Sequence, residues 1–528
     1  MNEEIAEYYE ELYRLYIDEN QPLERRYRQL RESLERVVRE RIQGNSLQTT
    51  DLAARINYVA TQYELDIKEQ NQLHTFRLTS NDILNHRKFP AKEEFLRDLR
   101  AVAFAYRKMF AQDIPLKLFS VLPKQEITSL GKKEKKEYIR RIRVCFDYAD
   151  DTYLYVHPVD VIADEPIRVV YNKPGINHEF EETIKELWRY AQLNLLDVSV
   201  DRDGIYTPSF IVLEPDYLID ISSLAECYKD YGSHPANYFL SRLVPIDNAR
   251  PLLLGNIANL FLDEWIHAGE EEPDYIDCMK KAFRQYPIEL AACAELRDPS
   301  KEKEFAKDCR MHFEHIRDIV QHTFLEPGYN LDKKDAVLEP SYICEALGIQ
   351  GRLDYMQRDM SSFIEMKSGK ADEFSIQGKV EPKENNKVQM LLYMAVLEYS
   401  MGQDRRRMHP YLLYTRYPLL YPARASWAQV RRVINLRNRI VAAEYGVQFH
   451  NHSDFTRNLL AQINPEVMNE RKLRGRFWEQ YLKPSISRFR EKLSALEPLE
   501  QAYFYTLYNF ITKELYTSKS GDVDYEGR

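Results

Sequence analysis

At 528 residues, 44% of them hydrophobic, the chain exceeds the length of one ordinary domain, and two or three domains are expected. Its net charge of −9 argues against a protein that coats DNA without specificity, while leaving room for a local basic groove. The six cysteines form no CxxC pair, the opening MNEEIAEYYEELY is acidic where a signal peptide is basic, and no apolar run is long enough to cross a bilayer, so a cytoplasmic protein without a disulfide framework or zinc site is expected.

Apolar residues recur at three and four from Ile5 to Tyr16, from Leu23 to Val38, around Ala53 to Val59 and from Phe95 to Phe110. That is the period of amphipathic helices, so 1–110 reads as a helical region. Its charged faces are either solvated or a docking surface for a partner. Over 111–175 the period changes to two, in Ile142, Val144, Phe146, Tyr148 and again in Tyr153, Tyr155, His157, with Ala149-Asp150-Asp151 as turn material. This predicts a small β-rich module. The basic run Gly131 to Lys136, with Arg140, Arg141 and Arg143 after it, is either a solvated loop or a phosphate contact. Beyond Gly175 the pattern predicts a helix around Phe180 to Leu193, a hairpin at Asp203-Gly204, a strand at Phe210 to Leu213, and helices from Leu252 to His267 and from Glu302 to Phe324. No P-loop and no internal repeat is present.

Chemistry concentrates further on. Gly348 to Met356 reads as glycines before a short strand that delivers Asp354, and Phe363 to Gly369 as a strand carrying Glu365 and Lys367 two apart, hence on one face. Two carboxylates from adjacent strands can hold a magnesium or manganese ion through oxygen, with the Met366 carbonyl completing the shell, and Lys367 can offset charge developing on a phosphate. A helix expected over Asn386 to Ser400 puts Gln389 and Tyr393 on one face, where both can hydrogen-bond phosphate or position a strand. The competing reading of Asp354, Glu365 and Lys367 is an ordinary surface ion pair.

At these residues the chain resembles the RecB-type branch of the PD-(D/E)XK nuclease superfamily, through its GxxD, ExK and QxxxY motifs. More narrowly it resembles the nuclease domain of flap-trimming and end-resecting helicase–nucleases and the related CRISPR-adaptation nucleases. Glu214 to Ser222 resembles the opening of that domain, Glu339, fifteen residues before Asp354, matches an acidic position at the metal site, and Arg437-Asn438 matches a downstream RN element. The resemblance covers 176–515 and implies an α+β to α/β fold, a mixed-sheet restriction-endonuclease-like core flanked by helices. It also implies a metal-dependent DNA nuclease acting on single-stranded or flap-like ends.

Two positions depart from the family. Asn259 stands where relatives carry a metal-binding histidine, and its amide oxygen is a weaker donor for manganese. No cysteine follows Cys344, so the four thiolates of a [4Fe–4S] cluster are not available and none is expected. The resemblance further implies a helicase motor, supplied in trans or on a further C-terminal part beyond the tail 516–528. Among the basic residues, Arg431, Arg432 and Arg437 are expected to contact DNA and Arg405 to Arg407 to be solvated. His267, His312, His315 and His322 are read as satisfied or exposed rather than metal ligands, and the aromatics from Tyr503 to Phe510 as a packing stripe. The alternative to an active nuclease is a catalytically weakened nucleic-acid-binding module or an adaptor for a helicase.

Overall fold

The computed structural model describes residues 3–42, 51–123, 138–161, 165–244, 249–329, 331–374, 379–423, 426–450 and 453–520. The basic run 131–136 and the tail 521–528 lie outside the described residues. The protein is mixed α and β, with several sheets, and divides into two compact units. Unit one is Met1–Glu214 with Gln448–Asn451, and unit two is Pro215–Val447 with His452–Arg528.

Unit one begins with helices Glu3–Ile17, Leu23–Ile42, Leu52–Gln62, Ile67–Leu84 and Lys92–Phe110. Each stripe of apolar residues turns inward, so Leu12, Leu30, Leu34, Leu73, Phe76, Leu99 and Val102 share one core. The fourth helix escapes the periodicity argument because Arg77, Thr79 and Ser80 are buried on its inner face along with Leu73, Phe76 and Ile83. Six strands follow: β1 (Tyr138–Ala149), β2 (Tyr153–Pro158), β3 (Ile167–Val170), β4 (Gln192–Val200), β5 (Tyr206–Thr207) and β6 (Phe210–Leu213). Their order is β1-β2-β3-β5-β4-β6, and β1 also pairs with β4, which closes five of them into a ring. A register shift between Phe146 and Tyr148 bends β1 enough to serve both neighbours.

The helix expected over Phe180 to Leu193 is confined to Glu181–Lys185; turns follow, and only its last two residues, Gln192 and Leu193, belong to β4. Tyr190 adopts a positive φ of 72°, which breaks the helix, and Leu193, Leu195, Leu196 and Val198 are fully buried in the sheet. The strands foreseen in 111–175 are therefore half of a longer sheet, and the boundary between units falls at Glu214 rather than near Gly175.

Unit two contains β7 (Ile219–Asp220), β8 (Ala336–Leu338), β9 (Ser341–Cys344), β10 (Ile349–Arg352), β11 (Tyr355–Gln357), β12 (Ser362–Lys367), the hairpin β13 (Asp372–Phe374) and β14 (Lys379–Glu381), β15 (His409–Tyr414) and β16 (Leu419–Pro422). A five-stranded mixed sheet runs β16-β15-β12-β11-β8, with β12 and β15 parallel, and a three-stranded sheet runs β7-β10-β9. Alternation sorts the faces of the larger sheet. Ile364, Met366, Tyr411 and Leu413 pack with Leu254, Ile257, Phe261 and Phe313 of helices Arg250–His267 and Pro299–Gln321. Glu365 and Lys367 point to the other face, where helix Glu384–Met401 lies. No helix among the described residues is long and apolar enough to cross a membrane.

Candidate active site

Asp354 sits in the two-residue link between β10 and β11, where the chain passes from the small sheet to the large one. Its Oδ2 accepts from the Met366 amide at 2.6 Å. The N–H and C=O of one strand residue point to the same side, so the Met366 carbonyl is directed to the Asp354 edge as well. Glu339, with a positive φ of 49°, donates its amide to the Asp354 carbonyl at 3.1 Å, and its carboxylate pairs with Arg352 at 3.2 Å.

Glu365 is 4% exposed. Its Oε1 accepts from Lys367 Nζ at 2.9 Å and from Gln389 Nε2 at 2.6 Å, while Oε2 is buried with no hydrogen-bond partner among the described residues. Gln389 Oε1 accepts from Lys367 Nζ at 2.8 Å, so the amide bridges both members of the ExK pair. Burial, reinforced by the charge of Asp354, pushes the Glu365 carboxyl up to about 8. Burial also lifts Asp354, against the opposing pull of the Met366 amide and Lys367. For Lys367 burial acts to lower the pKa, but Glu365 outweighs it and the ammonium stays above its ordinary value. The geometry differs from an exposed ion pair, since a carboxylate of this kind is held out of water with one oxygen unsatisfied.

Tyr393 is fully buried, and its hydroxyl donates to the Arg352 carbonyl at 2.6 Å. It braces the end of β10 two residues before Asp354 and does not reach a surface where a phosphate could lie. Gly351 is required for that approach, because a Cβ there would lie 3.0 Å from the Tyr393 hydroxyl and 3.0 Å from Ile221 Cδ1. Gln389 likewise binds the catalytic candidates themselves, not solvent. Both were expected to contact DNA; instead Tyr393 is spent on the Arg352 carbonyl and Gln389 on Glu365 and Lys367.

Arg437 is a correction to the expected DNA contacts. It is fully buried, with Nε donating to the Gly348 carbonyl at 3.1 Å and Nη2 to the Tyr217 carbonyl at 2.6 Å. On helix Trp427–Phe449, Val430, Ile434, Arg437 and Val441 follow a spacing of four, three and four, so Arg437 lies on the core stripe. It ties the segment opening unit two to the turn before β10. Arg431 is buried too, whereas Arg432 is exposed.

Asn259 lies at the middle of helix Arg250–His267, one turn after Gly255 and one before Asp263. That helix covers the sheet face opposite to Glu365, so Asn259 does not share a face with the carboxylate. Its stripe nevertheless reaches the Asp354 edge. A Cβ on Gly255 would lie 3.2 Å from Ser368 Oγ, and Asp263 is pushed up to about 6 by burial and by the charges of Glu339 and Asp354. Asp263 was not anticipated from sequence, although its i+4 spacing from Asn259 carried the signal. Ser222, which accepts from Gln389 Nε2 at 3.3 Å, carries no signal of its own in the sequence.

His267 contacts the Asp263 carbonyl at 2.9 Å, His315 the Thr415 carbonyl at 2.9 Å, and His312 is fully buried. Among the described residues no group of three or more His, Cys, Asp and Glu is gathered closely enough to hold a metal by itself. Oxygen donors available at the Asp354 edge are the two carboxylates and the Met366 carbonyl, a set suited to a hard cation that keeps part of its water shell. Compared with known proteins, the chain matches no family model and no curated protein.

Proposed function

We propose that unit two is a divalent-metal-dependent DNA nuclease of the PD-(D/E)XK class, its five-stranded mixed sheet serving as a restriction-endonuclease-like core. The observation that carries this reading is the buried, unpartnered Glu365 Oε2 beside Asp354. A purely structural Glu–Lys pair has no use for a second desolvated oxygen, whereas a cation ligand does. Asp354, Glu365 and the Met366 carbonyl would hold the ion, and magnesium or manganese suits such a set. When bound, the cation supplies charge stabilisation at the phosphoryl oxygens and activates water for attack.

The chain's own residues do the rest. Lys367, fixed by Glu365 and Gln389, offers an ammonium to the negative charge that grows on the phosphate as water attacks phosphorus and the bond to the leaving oxygen breaks. Gln389 holds that ammonium in place. Arg432, exposed on helix Trp427–Phe449, is the basic residue of its group available to a DNA backbone. Preference for single-stranded or flap-like ends, and a helicase motor in trans or on a further part of the chain, rest on the motif resemblance alone.

A second reading, a nuclease-like DNA-binding module with weakened catalysis, is favoured by Asn259 at the histidine position. Calorimetric titration with manganese separates the two. An active centre binds the ion in wild type and loses it in Glu365→Ala, while equal heats in both proteins remove Glu365 from any metal site and with it the nuclease reading.

A further inference from the structure

Within unit one, a cavity of about 450 Å³ is lined by Arg31 and Arg77 from the helical bundle and by Arg141 and Arg143 from β1. The last two are two apart on a strand, so they share the face that also buries Cys145 in the bundle's core. Against these four guanidinium groups stand two lining carboxylates, Asp51 and Asp160. Asp51 is already engaged, capping the Leu52–Gln62 helix through the Ala54 amide at 2.8 Å and accepting from Gln192 Nε2 at 3.1 Å.

Two of the arginines hold donors in reserve. Arg77 is 4% exposed and gives Nη2 to the Val159 carbonyl and Nε to His74 Nδ1 at 3.4 Å, while Nη1 has no acceptor among the described residues. The guanidinium of Arg141 is exposed and makes no hydrogen bond or ion pair among the described residues. Arg31 is anchored by Glu35 at 2.7 Å and Ser80 at 3.2 Å, and Arg143 by Asn194 at 3.2 Å. Burial pulls the Arg77 pKa below its ordinary value; Asp51 and Asp160 oppose that pull only in part and Arg31 adds to it, so a bound anion would further favour the charged guanidinium.

We propose that this cavity binds a phosphate monoester. Near neutral pH a monoester carries about two negative charges, which matches the excess of guanidinium over carboxylate, and the planar forks suit its oxygens. The volume exceeds what a phosphate alone fills and falls in the range of small-ligand pockets, so a nucleoside-sized body accompanies the phosphate. Such a ligand is either a free nucleotide or the 5′-terminal phosphate of a strand. Ring order β1-β2-β3-β5-β4, with β3 and β5 parallel and a short helix between β3 and β4, is also the connectivity of oligonucleotide-binding OB barrels. That likeness of topology carries no function alone, and the arginines bear the argument. The site belongs to unit one and stands whether or not unit two cleaves DNA.

The test is calorimetry on the full chain, with chelator present, using inorganic phosphate, thymidine, thymidine 5′-monophosphate, and oligothymidylate with either a 5′-phosphate or a 5′-hydroxyl. The monophosphate or the 5′-phosphorylated strand binds, thymidine and the 5′-hydroxyl end contribute nothing at this site, and Arg141→Ala weakens binding roughly tenfold or more. Tighter binding of the monophosphate identifies a free nucleotide as ligand, and tighter binding of the phosphorylated strand identifies a strand end. Should Arg141→Ala melt early, Arg141→Gln keeps the stem and removes the charge. Binding that ignores the 5′-phosphate, affinity unchanged by loss of Arg141, or no binding of either phosphorylated probe overturns the proposal.

Discussion

Lys367 Nζ lies 2.9 Å from Glu365 Oε1, so the ammonium takes one carboxylate oxygen and leaves Oε2 without a partner among the described residues. The two residues are spaced by one strand repeat, and Gln389 closes the arrangement by bonding to both. Gln389 is therefore a positioning residue. Gln389→Leu lowers kcat about 10- to 100-fold with KM little changed, because orientation of Lys367 is lost and substrate contact is not. An increase in KM alone contradicts this role.

Stability of the metal-free protein depends on pH through Glu365. Its folded pKa of about 8 lies above the ordinary 4.5, so the folded state retains a proton that the unfolded state releases. This contribution is fully present below the ordinary value and is lost as pH rises through about 8. The Tm of wild type minus that of Glu365→Gln therefore falls across this window. Magnesium binds the ionised carboxylate and raises the wild-type Tm more near pH 8 than near pH 5. A difference that is flat or rising with pH, followed by scanning fluorimetry, contradicts the assignment.

Arg437 and Gly348 form one structural unit. Gly348 has φ of 65°, and a Cβ there would lie 2.4 Å from Arg437 Nη2. Gly348→Ala is expected to cost about 2 kcal/mol or more from backbone strain and overlap. Arg437→Ala costs about 3 kcal/mol or more by stripping buried carbonyls of their donors. Both are read from chemical denaturation. DNA affinity lost without loss of stability in Arg437→Ala would return this residue to the DNA surface.

Asn259→His tests whether the Arg250–His267 helix reaches the cation. If its oxygen is a ligand, imidazole tightens manganese binding and raises manganese-supported cleavage more than magnesium-supported cleavage. Calorimetry and cleavage assays in parallel decide it. Identical affinities and identical metal profiles remove Asn259 from the site.

Much of this arrangement was legible in sequence because strand and helix spacing determine which side chains share a face. Glu365 with Lys367, and Gln389 with Tyr393, follow from periods of two and four. What those faces meet is decided by packing at long range, which spacing does not encode. Arg437 resembled a phosphate ligand by residue type, yet its helix buries it against the Tyr217 and Gly348 carbonyls. Most of strand β4 drew no strand reading because Leu193, Leu195 and Leu196 are apolar without strict alternation, as expected of a strand covered on both faces. The helix Ile67–Leu84 was passed over because buried Arg77, Thr79 and Ser80 interrupt its apolar stripe.

The central claim is tested most directly by incubating the protein with end-labelled single-stranded, duplex and flap DNA in magnesium, in manganese and in chelator. Asp354→Ala, Glu365→Ala and Lys367→Ala are assayed beside wild type. Wild type cleaves only with metal, and each substitution reduces the rate about 10²- to 10³-fold or more while Tm shows the fold intact. Cleavage that persists in chelator, or full activity in any one of the three variants, contradicts the account.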